Sequence, residues 1–426
     1  MSGIADDAAP MPDDPEKAGG ASDFPSECQP ESSLRADEPL VEARIVKGFS
    51  PVSKTRTARS HEGVGEKLGR AHHGRTNSGV SRMWIGLGIF AVSVVIIVSA
   101  LALWIHSLDT SMRPDPDEYR KLVEALAAPG ATTDSEAHPN AFYVLLVGSD
   151  EREGVEGARG DVIILARLDP DEGVVDLVSI PRDTMVNIEG YGTCKLNSAL
   201  AYGGTAGMVN AVSEFAGVPI SHYMEIGFDG LVQVVDRLGG IWVNVPEAFT
   251  AGGEHFMKGT QRVTGKRALI YARERHSFAG GDFTRIQSQR QVVSGIAKEI
   301  TEASPADLPG IIGDLAEMVS TDYATKDLVS LALGFRKTGI TIYQTACPSY
   351  GYESDGISYV ATMYDEWRDL MCRVDAGLDP DDADAPIPKA QSQNDALGAA
   401  SNGAGPRDYR KLAESALTTD DAERAD

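Results

Sequence analysis

Short apolar runs alternate with amphipathic segments along the middle of the chain. Glycine, proline and aspartate bound the apolar runs, which is typical of buried strands. The predicted strands are 142–147, 162–168, 174–180, 223–227, 241–245 and 340–343. The predicted helices are 116–126, 197–215, 231–238, 264–271, 283–302 and 362–371. This alternation predicts an α/β domain over residues 141–374, with helices on both sides of a central mixed sheet.

A different pattern precedes that domain. Residues 83–105 contain no charged side chain, and a helix needs roughly 20 apolar residues to cross a bilayer. Trp84 and Trp104 lie near the two ends, where indoles favour the headgroup region. A signal peptide would not follow so long a polar segment, so the pattern predicts a single transmembrane helix.

The charges that flank this segment predict its orientation. The upstream basic residues are Lys47, Lys54, Arg56, Arg59, Lys67, Arg70, Arg75 and Arg82. The downstream acidic residues are Asp109, Asp115, Asp117 and Glu118, with Arg113 among them. Because basic flanks stay inside, we expect a single-pass type II cell-membrane protein, with residues 1–82 cytoplasmic, 106–140 a juxtamembrane stalk and the domain extracellular.

The formal net charge is −24, which argues against a nucleic-acid partner because such proteins present a basic face. The acidic residues cluster in two tails that are rich in Ala, Gly, Pro, Ser and Asp. Without hydrophobic periodicity, residues 1–82 and 375–426 are both predicted to be disordered.

Four cysteines bear on the redox state of the chain. Cys28 falls in the predicted cytoplasmic segment, whereas Cys194, Cys347 and Cys372 fall outside the membrane, where disulfides persist. Cys194 and Cys347 lie in loops, and Cys372 follows a helical run. We therefore favour a Cys194–Cys347 disulfide, although spacing alone does not determine connectivity.

Arginines and aspartates recur over about 140 residues of the domain. They occur in the segments GSD (148–150), RGD (159–161), IPRD (180–183), YARER (271–275) and DFTRIQSQ (282–289). Arginine suits bidentate contact with phosphate oxygens, and Mg²⁺ prefers one or two carboxylates plus substrate phosphates. Together they indicate a site for a phosphorylated, strongly anionic substrate.

Each residue also has an ordinary interpretation. Asp150 and Asp161 lie at strand ends, where aspartate commonly makes turn hydrogen bonds. Arg273 and Arg275 are two apart, so they would diverge on a regular helix and converge only if the helix unwinds between them. Arg285 and Gln289 are four apart and share one face of the long helix.

The order of these segments is more specific than any one of them. The segments VLLVGSDER, ARGDVIILARL, LVSIPRDTMVNI, YGTCKLNSALAYGG, FDGLVQVVDRLGGIWVNV, GKRALIYARERH and GDFTRIQSQRQ resemble the LytR-CpsA-Psr family of cell-wall glycopolymer ligases. The resemblance covers about 150 residues directly. One departure is Ser288, where the family often has arginine.

The resemblance implies a role for each position. Asp150 and Asp161 would bind Mg²⁺, with Mn²⁺ as the alternative ion. The residues implied to grip the diphosphate are Arg159, Arg182, Arg273, Arg275, Arg285 and Gln289. Asp161, Arg182, Arg273 and Arg275 would be catalytic, and Val162, Ile164, Val178, Phe228, Val232 and Val235 are candidates for a lipid pocket.

The implied activity is an EC 2.7.8-type phosphotransferase. A glycopolymer such as teichoic acid would move from undecaprenyl pyrophosphate to an N-acetylmuramic acid hydroxyl of peptidoglycan, releasing undecaprenyl phosphate beside the membrane lipid. Two alternatives stay open: a polyprenyl-pyrophosphate hydrolase, and a non-catalytic membrane-bound regulator of the cell envelope. The sequence does not separate the ligase from the hydrolase, since the same residues serve both.

Overall fold

The computed structural model describes residues 96, 99–100, 102–127, 137–149, 160–316 and 318–423. Asp150, Arg159, Cys28, the predicted cytoplasmic segment and most of the predicted membrane helix lie outside the described residues. Within the described ranges, no helix has the length and apolar character needed to cross a bilayer. The predictions for those segments therefore stay predictions.

A six-stranded mixed sheet forms the centre of the domain. Its order is β11-β6-β1-β2-β3-β12. The strands are β1 (Phe142–Ser149), β2 (Gly160–Asp169), β3 (Val174–Ser179), β6 (His222–Gly227), β11 (Val319–Thr321) and β12 (Thr341–Ala346). β1 runs parallel to β6 and antiparallel to β2, and β12 runs parallel to β3. The predicted mixed sheet with helices on both faces is confirmed.

Helices cover both faces of this sheet. The described helical residues 102–111 form α1, and the others are α2 (Pro116–Ala125), α3 (Ser198–Ala216), α4 (Phe228–Arg237), α5 (Gly265–Arg273), α6 (Asp282–Glu302), α7 (Leu308–Leu315), α8 (Thr325–Thr338), α9 (Tyr364–Asp375), α10 (Lys389–Ser392), α11 (Arg410–Ala413) and α12 (Thr419–Glu423).

The period-two geometry of the strands divides the core into two layers. Tyr143 and Leu145 of β1 point into one apolar cluster with Leu122 of α2 and Trp367 of α9. Val144, between those two β1 residues, points to the other face, in a cluster with partly buried Val293 of α6. Because Leu122 is fully buried, α2 belongs to the packed domain, although it was predicted as part of the stalk.

Short hairpins supply strands that the apolar pattern did not predict. They are β4 (Met185–Ile188) with β5 (Gly192–Lys195), β8 (Phe249–Ala251) with β9 (Glu254–Phe256), and β13 (Ser349–Ser354) with β14 (Ile357–Thr362). The predicted strand β7 (Ile241–Val245) pairs with another unpredicted strand, β10 (Gly259–Val263). Most of these strands have only three or four residues, too short for a recognisable alternation.

The prediction of a disordered C-terminal tail is wrong for residues 376–423. Leu397 and Ala400 are fully buried, and their backbone amides lie in a segment that pairs with the end of α3. Gly217 (φ +69°) allows that approach, because a Cβ there would lie 1.6 Å from the carbonyl oxygen of Ala396. The small residues that indicated disorder instead permit close backbone packing.

The predicted Cys194–Cys347 disulfide is also wrong. Cys347 is a free, fully buried thiol, and Cys372 is likewise free. The backbone amide of Cys347 bonds to Ser179 at the end of β3, which fixes the thiol within the core. Burial raises the pKa of the Cys347 thiol far above its usual range, so it stays protonated and unreactive.

Candidate active site

The ends of β2 and β3 bring the first two site residues together. Ile164 of β2 pairs with Ser179 of β3 in antiparallel register, so the turn after β3 returns to the start of β2. β3 ends at Ser179, Pro181 turns the chain, and Arg182 then donates a hydrogen bond to the carboxylate of Asp161. A strand end therefore positions both groups.

Two further charged residues extend this pair and were not predicted as site residues. Arg182 Nε lies 3.6 Å from Asp183, and Lys195 of β5 lies 3.5 Å from the other oxygen of that carboxylate. Burial lowers the pKa of the Arg182 guanidinium, but Asp183 and Asp161 outweigh burial and hold the pKa above its usual value. Asp183 directly follows Arg182, whereas no sequence signal linked Lys195 to the site.

The end of α5 presents two arginines to the same place. α5 ends at Arg273, and Glu274 adopts an extended conformation (φ −70°, ψ 130°). The helix therefore unwinds before Arg275, which is the condition under which the two arginines converge. Burial raises the pKa of Glu274, but bonds from the backbone amides of Ser277 and His276 outweigh it and hold that pKa below its usual value. This loop is consequently fixed by a charged carboxylate.

The first turns of α6 complete the cationic group. Asp282 bridges Arg275 (3.6 Å) and Arg285 (3.4 Å). Gln289, one turn further on, donates a hydrogen bond to the carbonyl of Ala272 in α5 (3.2 Å). The i, i+4 spacing thus places Arg285 and Gln289 on one face, as predicted.

These side chains line one cavity of about 390 Å³. It contains six of the eight predicted site residues: Asp161, Arg182, Arg273, Arg275, Arg285 and Gln289. The other two predicted residues, Asp150 and Arg159, lie outside the described residues. The described site residues therefore converge on one place rather than being spread over the surface.

The cavity is strongly cationic. Among the described residues, four guanidinium groups and one carboxylate line it. Burial lowers the pKa of Arg285, and repulsion from Arg182 and Arg275 adds to this effect against attraction from Asp282. Arg273 lies 4.6 Å over the ring of Phe228, which holds its charge at the wall. Bound phosphate oxygens would relieve this repulsion.

An apolar cavity of about 310 Å³ adjoins the cationic one. The two share the lining residues Leu146, Val147, Ile226, Leu231 and Val293. The apolar cavity continues between α6 and α8, with Ala166, Ile296 and Phe335 in its wall. Positive charge in one cavity therefore lies directly beside hydrocarbon contacts in the other.

The predicted lipid-pocket residues divide between this space and other cores. Val162, Ile164 and Phe228 line the cationic cavity. Val178 instead points to the opposite face of the sheet, and Val235 packs in the cluster around β7. Val232 does not line either cavity. A strand's apolar run does not by itself show which face each residue occupies.

The donors present fit a magnesium ion held mainly by substrate. Asp161 exposes about a quarter of its side chain to the cavity, and Mg²⁺ needs only one or two protein carboxylates when phosphates supply further oxygens. Within the described ranges, no three His, Cys, Asp or Glu side chains cluster as a complete metal site. The described residues therefore fit an ion whose coordination is shared with substrate phosphates.

The fold and the site define a mixed α/β protein whose arginine-lined cavity lies beside an apolar one. The chain belongs to the LytR-CpsA-Psr family, whose family model matches residues 116–372. The match ends at α9, so the packed C-terminal segment lies beyond it.

Named relatives support this assignment. A polyisoprenyl-teichoic acid–peptidoglycan teichoic acid transferase, TagU, from Bacillus mycoides is 31% identical over 300 residues, covering 70% of this chain and 97% of the relative. TagU of Bacillus subtilis is 37% identical over 226 residues, covering 51% of this chain and 72% of the relative. A crystal structure described as a transcriptional regulator from Enterococcus faecalis has a TM-score of 0.50 at 26% identity, covering 63% of this chain and 98% of that one.

Proposed function

We propose that this protein transfers a glycopolymer from a polyprenyl diphosphate carrier to peptidoglycan. The observation that carries the proposal is the junction of the arginine-lined cavity with the apolar cavity. A lipid-linked diphosphate has a multiply charged head next to a hydrocarbon chain, so its two parts match the two ends of this space. A soluble nucleotide or sugar phosphate would leave the apolar end unfilled.

The relatives support the same reaction class. The TagU proteins are named as transferases that move teichoic acid from a polyisoprenyl carrier to peptidoglycan. For this chain, the polymer itself stays unspecified: the cavity residues contact the diphosphate and lipid that all such donors share. Teichoic acid is therefore one candidate among cell-wall glycopolymers.

The chemical step is a phosphoryl-group substitution. A hydroxyl oxygen of the acceptor glycan attacks the phosphorus on the sugar side, a new P–O bond forms, and the bond to the bridging oxygen breaks. Polyprenyl phosphate leaves with that electron pair, and the hydroxyl proton passes to Asp161 or to water. No external energy source is required because the diphosphate bond supplies the free energy.

The chain's own residues act by positioning and by charge neutralisation, which dominate phosphoryl-transfer catalysis. Arg182, Arg273, Arg275 and Arg285 hold the diphosphate oxygens and stabilise the negative charge that develops on the leaving group. Mg²⁺, held by Asp161 and by Asp150 beyond the described residues, would supply further charge neutralisation when bound.

We also propose an extracytoplasmic location. The uncharged segment 83–105 and its basic upstream flank support a type II anchor. α1 includes the last residues of that segment, 102–105, and Met112 after α1 lines the apolar cavity. An anchored domain would remain close to a donor that never leaves the bilayer.

The proposal is tested by reconstitution with a radiolabelled lipid-linked donor, with and without peptidoglycan. We expect label to enter the peptidoglycan, and Arg182→Ala and Asp161→Ala to reduce that rate at least 100-fold. Arg237→Ala is the matched control, because Arg237 is an exposed arginine that pairs with Asp314 and does not line the cavity. Free polymer released at the same rate without acceptor would identify a hydrolase instead.

A further inference from the structure

A third cavity lies on the flank of α6 that faces away from Arg285 and Gln289. Its volume is about 510 Å³. The α6 residues in its lining include Gln287, Gln291, Ser294 and Lys298, which occupy the helix face opposite Arg285 and Gln289. The other walls come from β7, from Gln344 of β12 and from Asp381 of the C-terminal segment. We call this cavity the outer groove.

An exposed tryptophan forms part of one wall of the outer groove. β7 alternates buried and exposed residues, which turns Ile241 inward and Trp242 outward. The Trp242 side chain is 53% exposed, and Arg262 of β10 lies 5.9 Å from the ring centre. A large aromatic ring left in water on a groove wall is a feature of ligand-binding surfaces.

The wall that carries Trp242 is held rigidly by contacts within the protein. The carboxamide oxygen of Gln291 accepts hydrogen bonds from the backbone amide of Asn244 (2.8 Å) and from the hydroxyl of Tyr271 (3.2 Å). Gly295 lets β7 lie against the helix, because a Cβ there would be 2.9 Å from the carbonyl oxygen of Trp242. The indole is consequently held on a rigid strand.

The chemistry of the lining favours a neutral polyhydroxyl ligand. Four carboxamide side chains line the groove: Asn244, Gln287, Gln291 and Gln344. The charged lining residues are Arg290, Lys298, Glu299, Glu302 and Asp381, two cations against three anions. A polyanion would meet more lining carboxylates than cations here. Carboxamides instead pair with hydroxyl and acetamido groups, and an indole packs against the apolar face of a sugar ring.

We propose that the outer groove binds a neutral saccharide chain through Trp242 and these carboxamides. If the proposed function holds, that chain is the glycan strand of the peptidoglycan acceptor, and this assignment rests on that function. Arg285 and Ser294 are nine residues apart on α6, or roughly 14 Å along its axis. A polymeric acceptor can therefore react at the cationic cavity while a distant part of the same strand occupies the groove.

The test is calorimetric titration of the full chain with a β-1,4-linked oligomer of N-acetylglucosamine. We expect Trp242→Ala in β7 and Gln344→Ala in β12 each to weaken binding at least tenfold. Trp242→Phe should retain part of the binding. Met257→Ala is the matched control, since Met257 is 61% exposed nearby but does not line the groove. Equal binding by wild type and Trp242→Ala, or no binding by the wild type, would overturn the proposal.

A kinetic assay separates this inference from the proposed function. Trp242→Ala should raise the acceptor concentration needed for half-maximal transfer at least fivefold, while the donor concentration needed for half-maximal rate stays unchanged. If Arg182→Ala leaves transfer intact while Trp242→Ala still abolishes oligosaccharide binding, the proposed reaction fails and the saccharide site stands. An unchanged acceptor dependence would remove the acceptor assignment.

Discussion

The carboxamide of Gln289 donates a hydrogen bond to the carbonyl oxygen of Ala272 (3.2 Å), joining α6 to the end of α5. Arg273 and Arg275 follow Ala272 directly, and Arg285 lies one turn before Gln289. The relative position of the three arginines therefore depends on this bond as well as on direct pairing through Asp282.

Gln289→Ala should lower kcat for glycopolymer transfer about 10- to 100-fold, because a small misplacement of diphosphate-binding groups is costly. Gln233→Ala is the matched control: Gln233 also bonds to a backbone carbonyl, that of Asp229, but on the exposed side of α4. Steady-state transfer rates for both variants measure the effect. Equal rates would show that the α5–α6 bond does not position the arginines.

The contact between Arg273 and Phe228 gives a second expectation. Phe228→Leu keeps an apolar wall but removes the ring face, so binding of the donor should weaken about 2- to 30-fold, the range of a cation–π contact. Phe228→Tyr retains the ring and should bind normally. Donor binding measured by competition checks this. Unchanged donor binding by Phe228→Leu would mean that the ring does not hold Arg273 in its binding position.

Filling the apolar cavity should change the dependence on lipid length. Ala297 of α6 lines the cavity away from the arginines, so Ala297→Trp should occupy the volume that a long chain needs. We expect transfer from a long-chain polyprenyl donor to fall at least tenfold and transfer from a short-chain donor to change less than twofold. An equal loss for both donors would indicate disruption of the fold instead.

A buried charge cluster predicts a pH dependence of stability. Arg167 is fully buried beside Asp169 (3.4 Å) and Asp176 (3.7 Å). The carboxylate of Asp169 balances the positive charge of the Arg167 guanidinium. Burial raises the pKa of Asp176 from 3.8 to about 8. The stabilisation from neutral Asp176 is complete below its unfolded pKa of 3.8 and is lost as the pH rises through about 8.

Asp176→Asn should remove this pH-dependent part of the free energy of unfolding, because asparagine is neutral at every pH. The free energy of unfolding of the wild type should therefore fall relative to Asp176→Asn between pH 4 and pH 8, by at most about 1.4 kcal/mol per pH unit. Denaturant unfolding at several pH values measures it. Parallel profiles would show that Asp176 is ionised throughout.

The packing of the C-terminal segment is tested at one glycine. Gly217→Ala should destabilise the protein by about 3 kcal/mol or more, since it combines a left-handed backbone with a steric clash against Ala396. Gly253→Ala shares a positive φ (+76°) but meets no atom within 4 Å, so it should cost only about 1–2 kcal/mol. Equal losses of thermal stability would mean that the C-terminal segment does not pack there in solution.

Several elements followed from the sequence because their signals are local. The strand bounded by Gly and Pro before Arg182, the unwinding between Arg273 and Arg275, and the shared face of Arg285 and Gln289 depend on residue type and spacing alone. The family followed from the order of the charged segments. These features needed no knowledge of which elements pack together.

Other features depend on contacts between distant parts of the chain. Lys195 reaches Asp183 because β5 folds back to pair with β4, which follows Asp183 along the chain. The sequence pattern does not predict that hairpin. Val178 and Ile164 have the same apolar character, yet they occupy opposite faces of the sheet, so only one lines the substrate cavity.

The sequence by itself determined the family of the protein, because its arginine- and aspartate-bearing segments occur in a fixed order that needs no knowledge of the fold. Only the tertiary structure decided that the arginine cavity lies beside an apolar one, that the Ala- and Gly-rich C-terminal residues are packed, and that Trp242 lines a polar groove. The physical reason is that composition and periodicity describe one segment at a time, whereas a cavity is the space left between segments that the chain brings together from far apart.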